Sequence, residues 1–125
     1  MSEEWAEEGK KTVRFADMKL KKEPFEQIEN MEKTIELRLF DEKRKFLQTG
    51  DIIRFREENG KTVFAKVTEL KPFSSFEEAF GQEGVLERAL PGASCVEEGC
   101  ETMRRYYSEE EERACGVLCI GLEKY

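Results

Sequence analysis

The chain alternates between apolar and polar residues in several segments, and this period of two predicts strands. The clearest case is residues 33–39, KTIELRL, where isoleucine and leucine alternate with threonine, glutamate and arginine. Such alternation is typical of a strand with one buried face and one open face. On that strand Thr34, Glu36 and Arg38 project in the same direction. The segment therefore predicts a row of charged side chains above a buried face.

The same period predicts three further strands. Residues 12–20 form a first strand, with a break expected near Asp17. Residues 51–57 and 61–70 form a hairpin, because Asn59-Gly60 between them supplies the positive φ of a tight turn at little cost.

Short helices are predicted between the strands. Residues 23–31 carry a proline that suits a first helical turn, and residues 74–80 begin with serines followed by glutamates. Residues 94–107 have glutamates near their start and arginines near their end, which matches the helix dipole. Ser108 and Glu111 have the spacing of a capping box, so they predict the start of another short helix.

The last apolar segment, residues 116–122, is apolar almost throughout and predicts a central strand. About five strands with interspersed short helices indicate the α+β class. A small, curved mixed or antiparallel sheet that closes on itself fits this order better than a βαβ sandwich. Six phenylalanines are assigned to the core: Phe25, Phe55, Phe64, Phe73, Phe76 and Phe80.

The length of 125 residues indicates one domain. Residues 13–125 are assigned to it, and residues 1–12 are predicted to be a flexible or loosely docked tail that attaches through Trp5. No apolar run has the length of a membrane span, and no signal peptide opens the chain. We therefore expect a cytoplasmic protein without membrane contact.

The net charge of −7 arises in the second part of the chain. Residues 1–72 are balanced, whereas residues 73–125 carry 5 basic and 12 acidic side chains. Binding of long duplex DNA requires a broad basic surface, so the composition argues against that function. A local basic site for a nucleotide or a single strand remains compatible with the neutral part.

The cysteines and the absence of histidine limit the expected metal chemistry. The four cysteines form two pairs spaced by five and four residues, whereas zinc sites usually have closer pairs, often with histidine. We therefore predict reduced intracellular thiols, no metal and no organic cofactor. Without histidine, proton transfer has to use carboxylates, lysine, hydroxyls or thiols.

Four segments share their order and spacing with a known family. They are residues 23–25 (EPF) before a short helix, residues 33–38 on a strand, residues 49–53 (TGDII) before the next strand, and residues 116–120 (GVLCI). Together they resemble the ASCH domain, a member of the PUA-like superfamily of small β-barrels. The resemblance extends over residues 13–123. It implies a pseudo-barrel flanked by short helices, with a cleft over the charged strand that binds RNA or nucleotides.

One branch of this family, the bacterial N4-acetylcytidine amidohydrolases, is similar to the chain in part. That branch uses a lysine, a threonine three residues later and a distant glutamate. Lys33 matches the lysine, Glu36 stands in place of the threonine, and Glu97 loosely matches the glutamate. Since the hydroxyl is missing, the resemblance implies ligand recognition more directly than the same acyl-transfer chemistry.

The candidate site is centred on Lys33, Glu36 and Arg38. Arg38 has a planar fork that suits a phosphate or a base edge, and Glu36 can accept from an exocyclic amine or orient a water. Lys33 supplies a point charge or a base, but it shares a face with Glu36 only if it precedes the strand. The alternative is a solvated strand face with surface ion pairs.

Six further residues are candidates for ligand binding: Thr34, Lys43, Arg44, Asp51, Tyr106 and Tyr107. Lys43 and Arg44 lie in the connection over residues 40–50, which we expect to cover the mouth of the barrel. A tyrosine that faces the cleft is suited to stacking a base, and otherwise belongs to the core. Asp51 is either a turn residue bonded to its own backbone or a ligand contact.

Three functions remain open. The first is a binding module for single-stranded RNA, a nucleotide or a nucleoside over Lys33, Glu36 and Arg38, with a role in RNA metabolism or regulation. The second is a hydrolase of a modified nucleoside or RNA, of amidohydrolase or nuclease type, with Lys33 as base and Glu36 or Glu97 as partner. The third is a regulatory domain that binds a protein or a small metabolite.

Overall fold

The computed structural model of the chain describes the backbone of residues 3–8 and 11–125, and the side chains from residue 14 onward. The strands in these residues are β1 (Glu3–Glu8), β2 (Lys11–Leu20), β3 (Ile35–Leu39), β4 (Ile52–Glu57), β5 (Thr62–Phe73) and β6 (Val117–Lys124). The helices are α1 (Lys22–Glu29), α2 (Phe76–Phe80), α3 (Val85–Ala89), α4 (Val96–Arg104) and α5 (Glu109–Cys115).

All described strands belong to one mixed sheet, in the order β1-β2-β4-β5-β6-β3. β2 and β4 run parallel, and the other neighbouring pairs are antiparallel. The long strand β5 pairs with β4 through its first half and with β6 through its second, with a register shift between Val67 and Glu69. The predicted α+β class and curved mixed sheet are confirmed, and the sheet has the form of a curled half-barrel.

Two hydrophobic clusters form the core. One lies between α1 and the inner face of the sheet and includes Phe25 and Phe55, both fully buried. The other lies between β3, β6 and the helices α2 to α4, and includes Leu37, Phe76 and Val117. The apolar side chains of β3 belong to this second cluster, so the charged side chains of that strand face the other way.

The predicted phenylalanine core is confirmed except at one position. Phe25, Phe55, Phe76 and Phe80 are buried, and Phe73 packs against the second cluster. The assignment of Phe64 to the core is wrong, because this side chain is 38 % exposed. It pairs across the ladder with Arg54, on the opposite face of the sheet from Phe55.

The predicted elements are largely confirmed, with three corrections. β2 continues without a break at Asp17, which pairs with Arg54 in the parallel ladder to β4. The strand predicted over residues 33–39 begins only at Ile35. Helix α3 was not predicted, because five residues are too few to show a helical period. The capping box at Ser108 is confirmed.

The N-terminal segment contributes β1, which pairs antiparallel with β2. The side chain of Trp5 lies outside the described residues, so docking of the segment through this residue stays a prediction. The division into a tail over residues 1–12 and a domain over residues 13–125 also stays a prediction.

Glu112 connects α5 to α2 and α4. Its buried carboxylate accepts a hydrogen bond from the backbone N–H of Phe76 at 2.6 Å and one from Arg104 Nη2 at 2.7 Å. The first contact satisfies an N–H group at the start of α2 that has no partner within the helix. Glu112 therefore holds the three helices against one another.

We predict that Glu112→Ala lowers the free energy of unfolding by about 2 kcal/mol, because it leaves a buried N–H without an acceptor. Urea denaturation followed by circular dichroism measures this loss. The control is Glu110→Ala in the same helix, where the side chain is exposed, and we expect a change within about 0.5 kcal/mol. Equal losses in the two variants would contradict the assignment.

Candidate functional site

A cleft of about 460 Å³ opens over the charged side of β3. Its floor is formed by the side chains of Lys33, Glu36 and Arg38. One wall is the end of β2 with the start of α1. The opposite wall consists of residues 89–93, α4 and residues 105–107. The predicted charged row of β3 is therefore at the bottom of a concave site and not on a convex solvated face.

The position of Lys33 is set by the end of α1. Its backbone N–H donates to the carbonyl of Gln27 at 3.0 Å, and the preceding Met31 has a left-handed φ of 59°. The chain thus leaves the helix before β3 begins, and the lysine side chain reaches back over the strand. This is the arrangement that lets Lys33 share a face with Glu36.

The ammonium of Lys33 is buried and fully engaged. It donates to the carbonyl oxygens of Ile35 at 2.8 Å and Ala89 at 2.6 Å, and its Nζ lies 3.1 Å from Glu36 Oε1. An ammonium has three N–H donors, so these three oxygens account for all of them. Such a lysine is suited to fixing a carboxylate and a loop in place.

Glu36 lies between two cations. Its Oε1 contacts Lys33, and its Oε2 accepts from Arg38 Nε at 2.6 Å. Burial acts to raise the pKa of this carboxyl, but the charges and hydrogen bonds of Arg38 and Lys33 outweigh it and lower the pKa below the ordinary value of 4.5. Glu36 is therefore an ionised structural anion at neutral pH.

Arg38 is the group that retains binding capacity. Its Nε donates to Glu36, and its Nη2 donates to the carbonyl of Lys19 at 2.9 Å. Burial acts to lower the pKa of Arg38, but the neighbouring Glu36 carboxylate raises it overall. Nη1 and the second N–H of Nη2 have no partner among the described residues. These remaining N–H groups are donors that suit an oxyanion acceptor.

Two tyrosines line the wall beside Arg38. Tyr107 stacks on Phe76, with ring centroids 5.7 Å apart, and Tyr106 is 53 % exposed. Burial raises the pKa of Tyr107, and the positive charge of Arg38 only partly opposes this effect. The phenol is therefore neutral at physiological pH and able to donate a hydrogen bond.

The structure thus brings five of the predicted residues together in one cleft: Lys33, Glu36, Arg38, Tyr106 and Tyr107. Thr34 is not among the lining residues, although alternation predicts that it projects with Glu36. It precedes β3, and its hydroxyl accepts from Arg88 Nε at 2.8 Å. The alternation misplaces Thr34 because the regular strand begins one residue later.

Asp51, Lys43 and Arg44 also lie outside the lining of the cleft. The buried carboxylate of Asp51 accepts from the backbone N–H of Gln48 at 2.8 Å, in agreement with the turn interpretation. Arg44 pairs with Asp41 at 2.7 Å, and Lys43 is exposed. The loop over residues 40–50 therefore does not supply the expected clamp directly.

Glu97 is exposed on α4 and does not line the cleft, whereas its neighbour Glu98 does. Thr102 and Arg105 follow on the same side of the helix and its extension. These residues are spaced as i, i+4 and i+7, which places them on one helical face. The sequence contained this signal, but only the structure shows which face of α4 is turned toward Arg38.

The four cysteines are free thiols, and burial raises the pKa of Cys119 to about 11. Across residues 14–125, no group of three cysteine, aspartate or glutamate side chains is arranged to hold a metal ion. In the part of the chain that the structure describes, no helix is long and apolar enough to cross a membrane.

We predict that Glu36→Gln lowers the free energy of unfolding by about 3 kcal/mol at pH 7, because it leaves two buried cations without their anion. The lowered pKa of Glu36 means that its stabilisation is present above about pH 4.5 and is lost as the pH falls through that lowered pKa. The difference between wild type and variant should therefore shrink below pH 4.5.

Urea denaturation at a series of pH values measures this difference. The matched control is Glu26→Gln, because Glu26 is half exposed and its contact to Lys22 is 4.0 Å long. This variant should stay within about 0.5 kcal/mol of wild type at every pH. A Glu36→Gln difference that is unchanged down to pH 3 would show that ionisation of Glu36 is not the cause.

Comparisons with known proteins identify the family of the chain and structures that share its fold. The ASCH domain family matches residues 18–125. A hypothetical protein designated PH0355 is 41 % identical, with a TM-score of 0.81 over 89 % of this chain and 99 % of that chain. Protein PF0455 from Pyrococcus furiosus is 40 % identical, with a TM-score of 0.71 over 88 % and 96 %.

A more distant structure, an ASCH protein from Zymomonas mobilis, shares the fold at 16 % identity, with a TM-score of 0.60 over 88 % of this chain and 67 % of that chain. No curated protein matches the chain. The family match covers most of the sequence, including the strand, cleft walls and closing strand described above. The chain belongs to the ASCH domain family.

Proposed function

We propose that this ASCH domain binds a nucleotide or a short single-stranded RNA in the cleft, and that Arg38 holds a phosphate of the ligand. The observation that carries the proposal is the Arg38 guanidinium on the floor of the cleft, whose Nη1 has no partner among the described residues. Guanidinium N–H donors of this kind form charge-assisted hydrogen bonds to phosphate oxygens. Family membership supports the proposal, because ASCH domains are associated with RNA.

The charge balance of the floor favours an anionic ligand. Lys33 and Arg38 contribute two positive charges, and Glu36 contributes one negative charge. Because Lys33 and both oxygens of Glu36 already have partners, the groups left for a ligand are mainly donors. A ligand with several acceptor oxygens fits this site better than one with several donors.

The walls suit the rest of a nucleotide. Tyr106 and Tyr107 place aromatic rings beside Arg38, and unpaired bases stack on such rings. The volume of about 460 Å³ lies within the usual range for small-ligand sites. The acidic second part of the chain disfavours long duplexes, so short single strands in RNA metabolism or regulation are the proposed partners.

The hydrolase alternative receives less support from the contacts. As a base, Lys33 would have to give up a proton that now bonds Ile35, Ala89 or Glu36. Glu97, the distant partner named from the resemblance, is not in the cleft. Turnover of N4-acetylcytidine by wild type, lost in Lys33→Ala, would nevertheless favour the hydrolase over simple binding.

We predict that nucleoside 5′-monophosphates shift the amide NMR signals of cleft residues in ¹⁵N-labelled protein, and that Arg38→Lys weakens their binding about tenfold. The reason is that lysine keeps the charge but loses the bidentate fork. The matching nucleosides, which lack phosphate, should bind wild type about tenfold more weakly than the monophosphates.

The control for this titration is Arg113→Lys, an exposed arginine on α5 outside the cleft. It should bind the monophosphates as wild type does. Equal binding of nucleosides and monophosphates, or unchanged binding in Arg38→Lys, would contradict the assignment of a phosphate to Arg38.

A further inference from the structure

The outer face of the sheet carries a second set of aromatic and basic side chains that the cleft does not use. The side chains of β4 and β5 that point away from the first core cluster include Arg54, Arg56, Phe64 and Lys66. We call the outer-face patch the set formed by six residues: Lys19, Arg54, Arg56, Phe64, Lys66 and Tyr125.

Two aromatic rings of this patch are open to solvent. Phe64 is 38 % exposed and Tyr125 is 66 % exposed, and their centroids are 6.5 Å apart. Phe64 lies near the start of β5, where it pairs with Arg54 of β4, and the ladder to β6 begins only at the next residue, Ala65. The ring of Phe64 lines a shallow pocket with Phe15, Asp17 and Arg54. The two rings are tilted by 55° to one another, so each offers its own apolar face of the kind on which bases stack.

The charges around the two rings are predominantly positive. Asp17 binds Arg54 through Nε and Nη2, and Arg56 Nε lies 4.0 Å from the same carboxylate. The Asp17 carboxylate thus contacts both arginines. Lys19 and Lys66 are both exposed. Lys19 is the ladder partner of Arg56, and Lys66 is the ladder partner of Glu123. Apart from the Arg54–Asp17 pair, the exposed charged groups around the aromatic pair among the described residues are three basic (Lys19, Arg56, Lys66) and one acidic (Glu123), in a chain whose net charge is −7.

We propose that the outer-face patch is a second binding surface for single-stranded RNA, separate from the cleft. Exposed rings between cations match unpaired bases between phosphates. A protein partner would use the apolar rings but would not by itself account for the local excess of positive charge. The positive charge and the rings are therefore explained together by a single-stranded polyanion whose bases are free to stack.

Lys19 lies where this surface meets the cleft. Its carbonyl accepts from Arg38, on the cleft floor, and it is the register partner of Arg56 on the outer face. A single strand longer than the cleft therefore has a basic route between the two surfaces. RNA that fills only the cleft does not reach Phe64, so the proposal predicts an affinity that depends on RNA length.

The test uses two fluorescein-labelled RNA pools of random sequence, three and twelve nucleotides long, in fluorescence anisotropy titrations with the full chain. Phe64→Ala should weaken binding of the twelve-nucleotide pool about tenfold, because it removes a stacking ring, and should leave binding of the three-nucleotide pool unchanged. Arg56→Gln should reduce the salt slope for the long pool by about 0.7, the value for one phosphate contact on a single strand.

Phe46→Ala is the matched control for the ring. Phe46 is 63 % exposed but lies in the loop over residues 40–50, outside both the cleft lining and the patch. The proposal would be overturned if the dissociation constants of Phe64→Ala and Phe46→Ala for the twelve-nucleotide pool differed by less than twofold. Sedimentation velocity tests whether a second copy of the chain binds the outer-face patch instead. If the wild type is a dimer, and Phe64→Ala makes it a monomer without changing RNA affinity, the RNA proposal is overturned in favour of a protein interface.

Arg38→Lys separates this proposal from the proposed function. If Arg38→Lys has no effect and Phe64→Ala still weakens binding of the long pool, the cleft assignment fails and the outer-face patch is supported. If Arg38→Lys weakens both pools and Phe64→Ala weakens neither, the patch fails and the cleft is supported.

Discussion

The buried ion cluster of Lys33, Glu36 and Arg38 is the constraint on which the cleft depends. A buried carboxylate is costly unless charges and hydrogen bonds compensate it, and each oxygen of Glu36 contacts one cation. The same two cations also bind the carbonyls of Ala89 and Lys19. The compensation of one carboxylate therefore ties β3 to the end of α3 and to β2. Among the described residues no backbone ladder joins β3 to β2, so these side chains provide a link that the curled sheet lacks.

The members of this cluster differ in how many of their donors and acceptors already have partners. The three donors of Lys33 are all engaged and each oxygen of Glu36 has a cationic partner, whereas Nη1 of Arg38 has no partner among the described residues. Asp17 shows the same arrangement on the outer face, where one carboxylate serves Arg54 and Arg56. At both places one acid contacts two cations.

Short sequence patterns predicted the individual strands, turns and helix caps well, but they did not predict which distant strands pair with one another. The alternation in β3, the hairpin turn before β5 and the capping box at Ser108 depend on a few neighbouring residues, and all are confirmed. The parallel pairing of β2 with β4 joins segments separated by a helix and another strand, and no short pattern encodes it. Phe64 shows the same limit, since its hydrophobicity predicts burial, whereas the face on which it lies is set by the sheet register.

The site was predictable to the extent that it lies on one strand. Alternation indicated Glu36 and Arg38, but the inclusion of Lys33 depends on the left-handed turn at Met31, and the choice of Glu98 over Glu97 depends on the rotation of α4. The charge of the chain acts on a different length scale. At physiological salt, charges are screened beyond about 8 Å, so acidic residues of the second part that lie farther away have little influence at the bottom of the cleft, where Glu98 and Arg105 contribute one charge of each sign to the wall. We therefore expect a short anionic ligand that interacts mainly with Arg38 to be attracted by its guanidinium, and a long duplex to be repelled by the acidic residues of the second part of the chain.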